Sequence, residues 1–133
     1  MRLIGLDYGS ARIGIALGDT VTKVASPWKI MINDSFEDTV QRLQELMKHE
    51  KAEALVVGVP RPLGDQSRVT DQAQEILTFA GKLREAGFVV HEWDETLTSK
   101  VAADQQKEMG ARGKRDDLAA AAILQNYLDA LPA

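Results

Sequence analysis

The chain has 133 residues, of which 44% are hydrophobic and 27% charged, and it carries a net charge of −4 and no cysteine. This composition is typical of a globular protein with one domain, 1–133, and it excludes a disulfide framework and a thiolate metal site. It also excludes a protein that is basic overall, so any surface for nucleic acid has to be local. Met1 leads almost directly into the first predicted strand and no apolar run reaches membrane-spanning length, so we expect a cytoplasmic protein without membrane contact.

The first predicted element is a β-hairpin, formed by two apolar runs in the segment RLIGLDYGSARIGIALGD, 2–19. The first run ends at Asp7 and a glycine-containing turn follows it. Side chains alternate along a strand, so Gly5 and Asp7 share a face, and Gly5 clears space in front of the carboxylate. Two interpretations of Asp7 remain open at this point. It is a site residue that requires a cation or hydrogen-bond donors, or it begins the turn and binds its own backbone.

The later segments alternate between strands and helices. In chain order they are an edge strand interrupted by Pro27 (21–32), a helix capped by Ser35 (36–47), a wholly apolar strand (55–59), a loop (60–65), a helix (69–83), a strand (88–95), a short helix (98–110) and a final helix (118–131). Short turns between the first three strands indicate antiparallel pairing, and a helix before each later strand requires parallel pairing. We therefore predict an α/β fold with a mixed five-stranded sheet, three antiparallel strands then two parallel, and helices on both faces.

Acidic residues occur at the positions where such a sheet has its ligand crevice, the carboxyl ends of the parallel strands. They are Asp7, the pair Asp94 and Glu95, and Asp116, which helical spacing places on the sheet side of the final helix, about 100° from Asp117. Taken alone, Asp116 is better explained as a helix cap. Three converging carboxylates, however, require a cation. Oxygen ligands suit Mg²⁺ or Mn²⁺, which can activate water for phosphodiester hydrolysis.

Four segments resemble, in order and spacing, the four blocks of the YqgF/RuvX family, which is described as Holliday-junction-resolvase-like or as a candidate pre-16S rRNA nuclease: GLDYGSARIGIALGD, VVGVPRPLGDQSRVTDQA, DETLTS and DDLAAAAILQNYL. The resemblance covers essentially the whole chain. It implies a ribonuclease-H-like fold and metal-dependent hydrolysis of phosphodiesters, with Asp7, Glu95 and Asp116 as catalytic metal ligands and Mg²⁺ or Mn²⁺ as the cofactor. Glu95 is taken over Asp94 from this resemblance, since adjacent strand residues face opposite ways. It also implies rRNA processing in ribosome biogenesis, so RNA is the preferred substrate and DNA the alternative.

The chain departs from the family at Thr96, where the usual third block, Asp-Glu-Arg, has its arginine. A guanidinium at that position could hold a carboxylate or a substrate phosphate through two hydrogen bonds. Its replacement leaves open how the substrate backbone is held.

Basic residues in segments that leave or flank the strand ends are candidates for contacts with substrate phosphates: Arg12, Arg61, Arg68, Lys114 and Arg115. Loop charges are usually only solvated. A basic rim around an acidic centre is nevertheless what a phosphodiester substrate requires.

Two other functions share some of these features. ATP-binding proteins of the actin/sugar-kinase type also end their first strand in an Asp-x-Gly hairpin, but they close two domains around the nucleotide. A non-catalytic RNA-binding or ribosome-assembly factor would keep the fold and lose the chemistry. The three acids favour the nuclease, and the sequence leaves a monomer and a dimer equally open.

Overall fold

Five strands form one mixed sheet in the computed structural model of the chain, which describes residues 1–62, 70–97 and 116–132. The strands are β1 (Arg2–Tyr8), β2 (Arg12–Asp19), β3 (Ala25–Ile32), β4 (Ala52–Pro62) and β5 (Val90–Leu97), in the order β3-β2-β1-β4-β5. β2 pairs antiparallel with β1 and β3, whereas β4 pairs parallel with β1 and β5. The predicted sheet is confirmed, including an edge position for the strand that contains Pro27.

Three described helices complete the fold: α1 (Phe36–Glu50), α2 (Asp71–Glu85) and α3 (Asp116–Ala130). α1 begins at the predicted cap, because the Ser35 hydroxyl accepts a hydrogen bond of 3.2 Å from the backbone N–H of Asp38. The short helix predicted for 98–110 lies outside the described residues. Among the helices that are described, none is long and apolar enough to cross a membrane.

Helices cover both faces of the sheet, and each face has its own apolar core. α1 and α2 pack on the face to which Ile4 and Leu6 of β1 project. α3 packs on the opposite face, to which Leu3 projects, and buries Leu124 and Leu128 there. The alternation of side chains along each buried strand therefore supplies two cores, and of the three described helices α3 is the one that covers the face that carries Asp7.

β4 is longer than the sequence predicts. A loop was expected to begin at Pro60, but residues 60–62 continue the strand and pair with residues 95–97 of β5. The pairing of β4 with β1 has already ended at Val57, so Pro60 occupies an edge-like position where a missing backbone N–H is tolerated. The remainder of the predicted loop, 63–65, lies outside the described residues.

Candidate active site

The beginning of α3 lies directly on the hairpin. Asp7 in β1 is paired with Gly14 in β2, and paired residues project on the same face of the sheet. A Cβ added at Gly14 would lie 1.8 Å from the backbone oxygen of Asp116, so this close approach requires a glycine. The contact brings Asp116 to the carboxyl end of β1, beside Asp7.

The space beside Gly5 is filled rather than open, which corrects the expectation from the sequence. A Cβ at Gly5 would lie 2.8 Å from Cβ of Leu124 and 3.0 Å from the backbone oxygen of Ala120. Gly5 therefore accommodates α3 and brings that helix close to the sheet. Its role in the site is to set the distance between α3 and the sheet, and not to leave space in front of the Asp7 carboxylate.

Glu95 lies on the same face of the sheet as Asp7. Gly58 of β4 faces α3, because a Cβ added there would lie 2.6 Å from Ile123. Its partner in β5 is Trp93, and Glu95, two residues further along β5, projects to the same face. Asp94 alternates to the opposite face and is exposed, whereas Glu95 is half-buried. Of the two adjacent acids, Glu95 therefore shares the α3 face with Asp7 and Asp116.

Burial is the main cause of a raised pKa at the Glu95 carboxyl. A side-chain hydrogen bond with Asn126 of α3 opposes this effect, and the negative charge of Asp7 adds to it. The contribution of Asp7 means that these two acids, from strands separated by β4, lie within electrostatic range of each other. Negative charge is thus concentrated in a partly buried place, where it is costly without a cation.

Arg12 contacts Asp116. Its Nε atom lies 3.4 Å from Oδ2 of Asp116, and its side chain is 56% exposed. One candidate for phosphate binding is therefore an ion-pair partner of a predicted metal ligand. Its exposed part leaves the guanidinium accessible to a substrate at the same edge of the sheet.

The other basic candidates fall outside what the structure describes. Arg61 belongs to β4, but its side chain is not described, and Arg68, Lys114 and Arg115 lie outside the described residues. The side chain of Thr96 is likewise not described. Within residues 1–62, 70–97 and 116–132, no three acidic or histidine side chains lie close enough together to hold one metal ion. The fold therefore gathers the three predicted ligands on one face without closing them into a preformed cluster.

Two residues of the site were missed from the sequence. Asp117 was expected to turn away from the sheet, but it is as buried as Asp116, each being 8% exposed. Asn126 gave no signal of its own as one exposed amide in an apolar helix.

A cavity of about 450 Å³ lies on the other face of the sheet, next to the end of β1. Its lining includes Tyr8, Phe36, Phe79 and Lys82. Tyr8 alternates with Asp7 along β1, so this cavity opens away from the acids. The candidate site accordingly lies on the opposite, α3 face, with Asp7, Glu95 and Asp116.

The family model described as RuvX, Holliday junction resolvase, matches residues 1–130. This chain belongs to the RuvX family. A RuvX relative from Syntrophus aciditrophicus, named as a candidate pre-16S rRNA nuclease, is 38% identical over 98% of this chain and 90% of its own length. A second with the same name, from Thermus thermophilus, is 35% identical over 96% of this chain and 97% of its own length. The resemblance inferred from the four sequence blocks is confirmed.

Two solved structures with a similar architecture are Holliday junction resolvases. RuvC from Thermus thermophilus in complex with a Holliday junction substrate aligns with a TM-score of 0.57 and 16% identity, covering 98% of this RuvX chain and 94% of RuvC. The fowlpox virus resolvase in complex with Holliday junction DNA aligns with a TM-score of 0.54 and 8% identity, covering 97% of each chain. At these identities the likeness concerns the fold, and the predicted ribonuclease-H-like fold is confirmed.

Proposed function

We propose that this chain is a divalent-metal-dependent nuclease that hydrolyses phosphodiester bonds of precursor 16S rRNA in ribosome biogenesis, as a single cytoplasmic domain, 1–133. Asp7, Glu95 and Asp116 are its catalytic metal ligands. The observation that carries the proposal is the arrival of these acids from β1, β5 and α3 on one face of the sheet. The names of the RuvX relatives support the choice of reaction and of substrate.

The donor set fits a hard divalent cation. All three side chains are carboxylates, which are the ligands that Mg²⁺ and Mn²⁺ prefer, and three protein ligands leave coordination positions for water and phosphate. The pKa of Glu95 is raised by burial and by Asp7, and a nearby cation would favour its charged form. When bound, such an ion supplies an activated water and stabilises the leaving oxygen of a phosphodiester. β1 and β5 hold Asp7 and Glu95 from the sheet, and α3 holds Asp116 from above it.

Basic residues orient the substrate in this proposal. Arg12 is in contact with Asp116 and remains exposed, so it can hold a phosphate next to the acidic centre. The other proposed phosphate contacts are Arg61, Arg68, Lys114 and Arg115. Such contacts position a nucleic acid without reading its sequence, so we expect selection by shape or strandedness. RNA is the preferred substrate because the relatives are named for it.

The proposal is tested by the cleavage of labelled transcripts that span the ends of 16S rRNA, beside single-stranded DNA and four-way junctions, with Mg²⁺, Mn²⁺ or EDTA. Asp7→Asn keeps an oxygen ligand and removes its charge, so cleavage should fall by at least about 100-fold, the upper end of the loss seen when a residue only supports a ligand. Asp94→Asn is the matched control, because Asp94 is adjacent to Glu95 in β5 but projects to the face of the sheet opposite the site. Full cleavage in EDTA would refute metal dependence. Binding of RNA without cleavage would instead support the assembly factor.

A further inference from the structure

The cavity of about 450 Å³ on the face covered by α1 and α2 has no role in the chemistry proposed above. Its lining comes from the end of β1, the hairpin turn after it, the connection from β3 to α1 and one side of α2. Tyr8 belongs to this lining and directly follows Asp7 in β1, so their Cα atoms are about 3.8 Å apart. The volume is within the range of pockets that hold a small molecule, about 300–1,000 Å³. The cavity is therefore a second candidate binding site, next to the acids but on the other face of the sheet.

Aromatic side chains form a connected group at this cavity. Tyr8 and Phe36 line it and are half-buried, and Phe79 is buried beside them. The ring centroid of Phe79 lies 4.4 Å from that of Tyr8 and 6.2 Å from that of Phe36. Because Phe79 is fixed in the core, it holds the two partly exposed rings in place. Rings held in this way are suited to stacking on a flat aromatic ligand.

The polar part of the lining favours a neutral ligand over an anion. Glu75, Phe79 and Lys82 lie on one side of α2, at spacings of four and three residues. Lys82 is exposed, and its Nζ lies 5.6 Å from the centroid of the Phe36 ring. Asp34 and Glu75 place two carboxylates against this one amine in the described lining, so a phosphate inside the cavity is disfavoured. A nucleobase is planar and uncharged and carries both donors and acceptors, so it suits such a lining.

We propose that this cavity receives one unpaired base of the substrate strand, next to the nucleotide whose phosphate lies at the acids. The inference rests on the proposed function of the site. A strand that passes the carboxyl end of β1 has that phosphate on the Asp7 face and turns the neighbouring base onto the Tyr8 face. There the base stacks on the ring of Tyr8 or Phe36, as unpaired bases do on aromatic side chains of RNA-binding proteins. A base held in a duplex cannot enter, so the cavity selects single-stranded positions.

The experiment measures binding of a labelled single-stranded RNA by fluorescence anisotropy, with Mg²⁺ and with Asp7→Asn in every protein so that the RNA is not cut. Phe36→Leu keeps an apolar side chain and removes the ring, so Kd should rise by about fivefold or more, the low end of the loss for one stacked base. Phe36→Tyr keeps the ring and should bind within about twofold of the parent protein. Phe88→Leu is the matched control, because Phe88 is another half-buried ring of the same core but precedes β5, at the end of the sheet far from the acids.

Two changes in the RNA test the same contact without altering the protein. On an abasic strand of equal length, the parent and Phe36→Leu should bind within about twofold of each other, because no base is left to stack. A 2-aminopurine base in the strand should lose fluorescence on binding to the parent, as stacked bases do, and should lose less on binding to Phe36→Leu. A free nucleoside monophosphate should compete weakly, since it lacks the other phosphate contacts of a strand.

Several outcomes would overturn the inference. They are equal affinity of the parent and Phe36→Leu, equal losses in Phe36→Leu and Phe88→Leu, a loss in Phe36→Tyr as large as in Phe36→Leu, or an undiminished loss on the abasic strand. Competition by the free nucleotide as strong as by the RNA would assign the cavity to a mononucleotide and overturn it too. Cleavage by Asp7→Asn at the wild-type rate would instead refute the proposed metal ligands, and stacking measured by these assays would stand apart from that result.

Discussion

At Glu95 the fold favours the protonated carboxyl, because burial and then the charge of Asp7 raise its pKa above the ordinary value of 4.5. Above pH 4.5 the unfolded chain releases this proton before the folded protein does, so the folded protein loses stability as the pH rises toward the raised pKa. Glu95→Gln keeps the neutral form at every pH. With EDTA present, the variant should therefore gain stability relative to wild type between pH 4 and pH 7.

Urea unfolding of both proteins at a series of pH values measures this difference. The two plots of unfolding free energy against pH should be closest near pH 4, where Glu95 is largely protonated in both the folded and the unfolded chain. They should separate as the pH rises and become parallel once the folded carboxyl has ionised. Curves that stay parallel throughout would mean that burial and Asp7 do not act on this carboxyl as described.

At the scale of elements, the position of α3 depends on glycines in the strands beneath it. A Cβ at Gly14 would overlap the backbone of Asp116, which cannot move without shifting the helix. Gly14→Ala should therefore reduce the free energy of unfolding by about 1–3 kcal/mol, as for an overpacked core, and should displace Asp116 and abolish cleavage. Gly81→Ala is the control, because a Cβ at Gly81 of α2 has nothing within 4 Å among the described residues.

The control should change stability in the opposite direction. Alanine in a helix is favoured over glycine by about 1 kcal/mol, so Gly81→Ala should raise the free energy of unfolding and leave cleavage intact. Denaturant unfolding at pH 7 measures both variants. A Gly14→Ala protein with wild-type stability and activity would show that the hairpin does not set the distance between α3 and the sheet.

How far the sequence predicts these elements depends on whether the relevant contact is local. Alternation, helical spacing and the lengths of connections are local, and they predicted the sheet, its pairing and the cap at Ser35. The continuation of β4 through Pro60 was missed because it depends on where β1 ends, which is a property of a neighbouring strand. Asn126 and the burial of Asp117 were missed for the same reason. Their roles arise from a helix that crosses the whole sheet, and no spacing within α3 reveals what it meets.

At the scale of the whole molecule, a metal ion that binds the folded protein alone stabilises it by mass action. Mn²⁺ at 100 times its dissociation constant should add about 2.7 kcal/mol to the free energy of unfolding. For a chain of this length that corresponds to a rise of several degrees in melting temperature. The variant with Asp7→Asn, Glu95→Gln and Asp116→Asn should lose this rise. A shift of equal size in the triple variant would mean that the ion binds elsewhere.

The net charge of −4 has a consequence for binding of nucleic acid, because the 20 acidic residues outnumber the 16 basic ones and only basic residues near the strand ends can neutralise phosphates there. Affinity should be modest, and its logarithm should fall with the logarithm of the salt concentration by roughly one unit for each phosphate contact. Lys114→Ala together with Arg115→Ala should weaken binding to RNA and DNA of matched sequence and reduce the slope of log Kd against log salt by up to about two units, roughly one for each lost phosphate contact.

Lys48→Ala together with Lys51→Ala provides the matched control for this pair. It changes the net charge equally, but at exposed positions at the end of α1, which packs on the face opposite α3. A general charge effect would reduce the salt slope of both double variants alike. The loss of phosphate contacts would reduce it only in the Lys114 and Arg115 variant. A wild-type salt slope in the Lys114 and Arg115 variant would mean that these two cations are only solvated. The substrate would then be held by the remaining candidates, Arg12, Arg61 and Arg68.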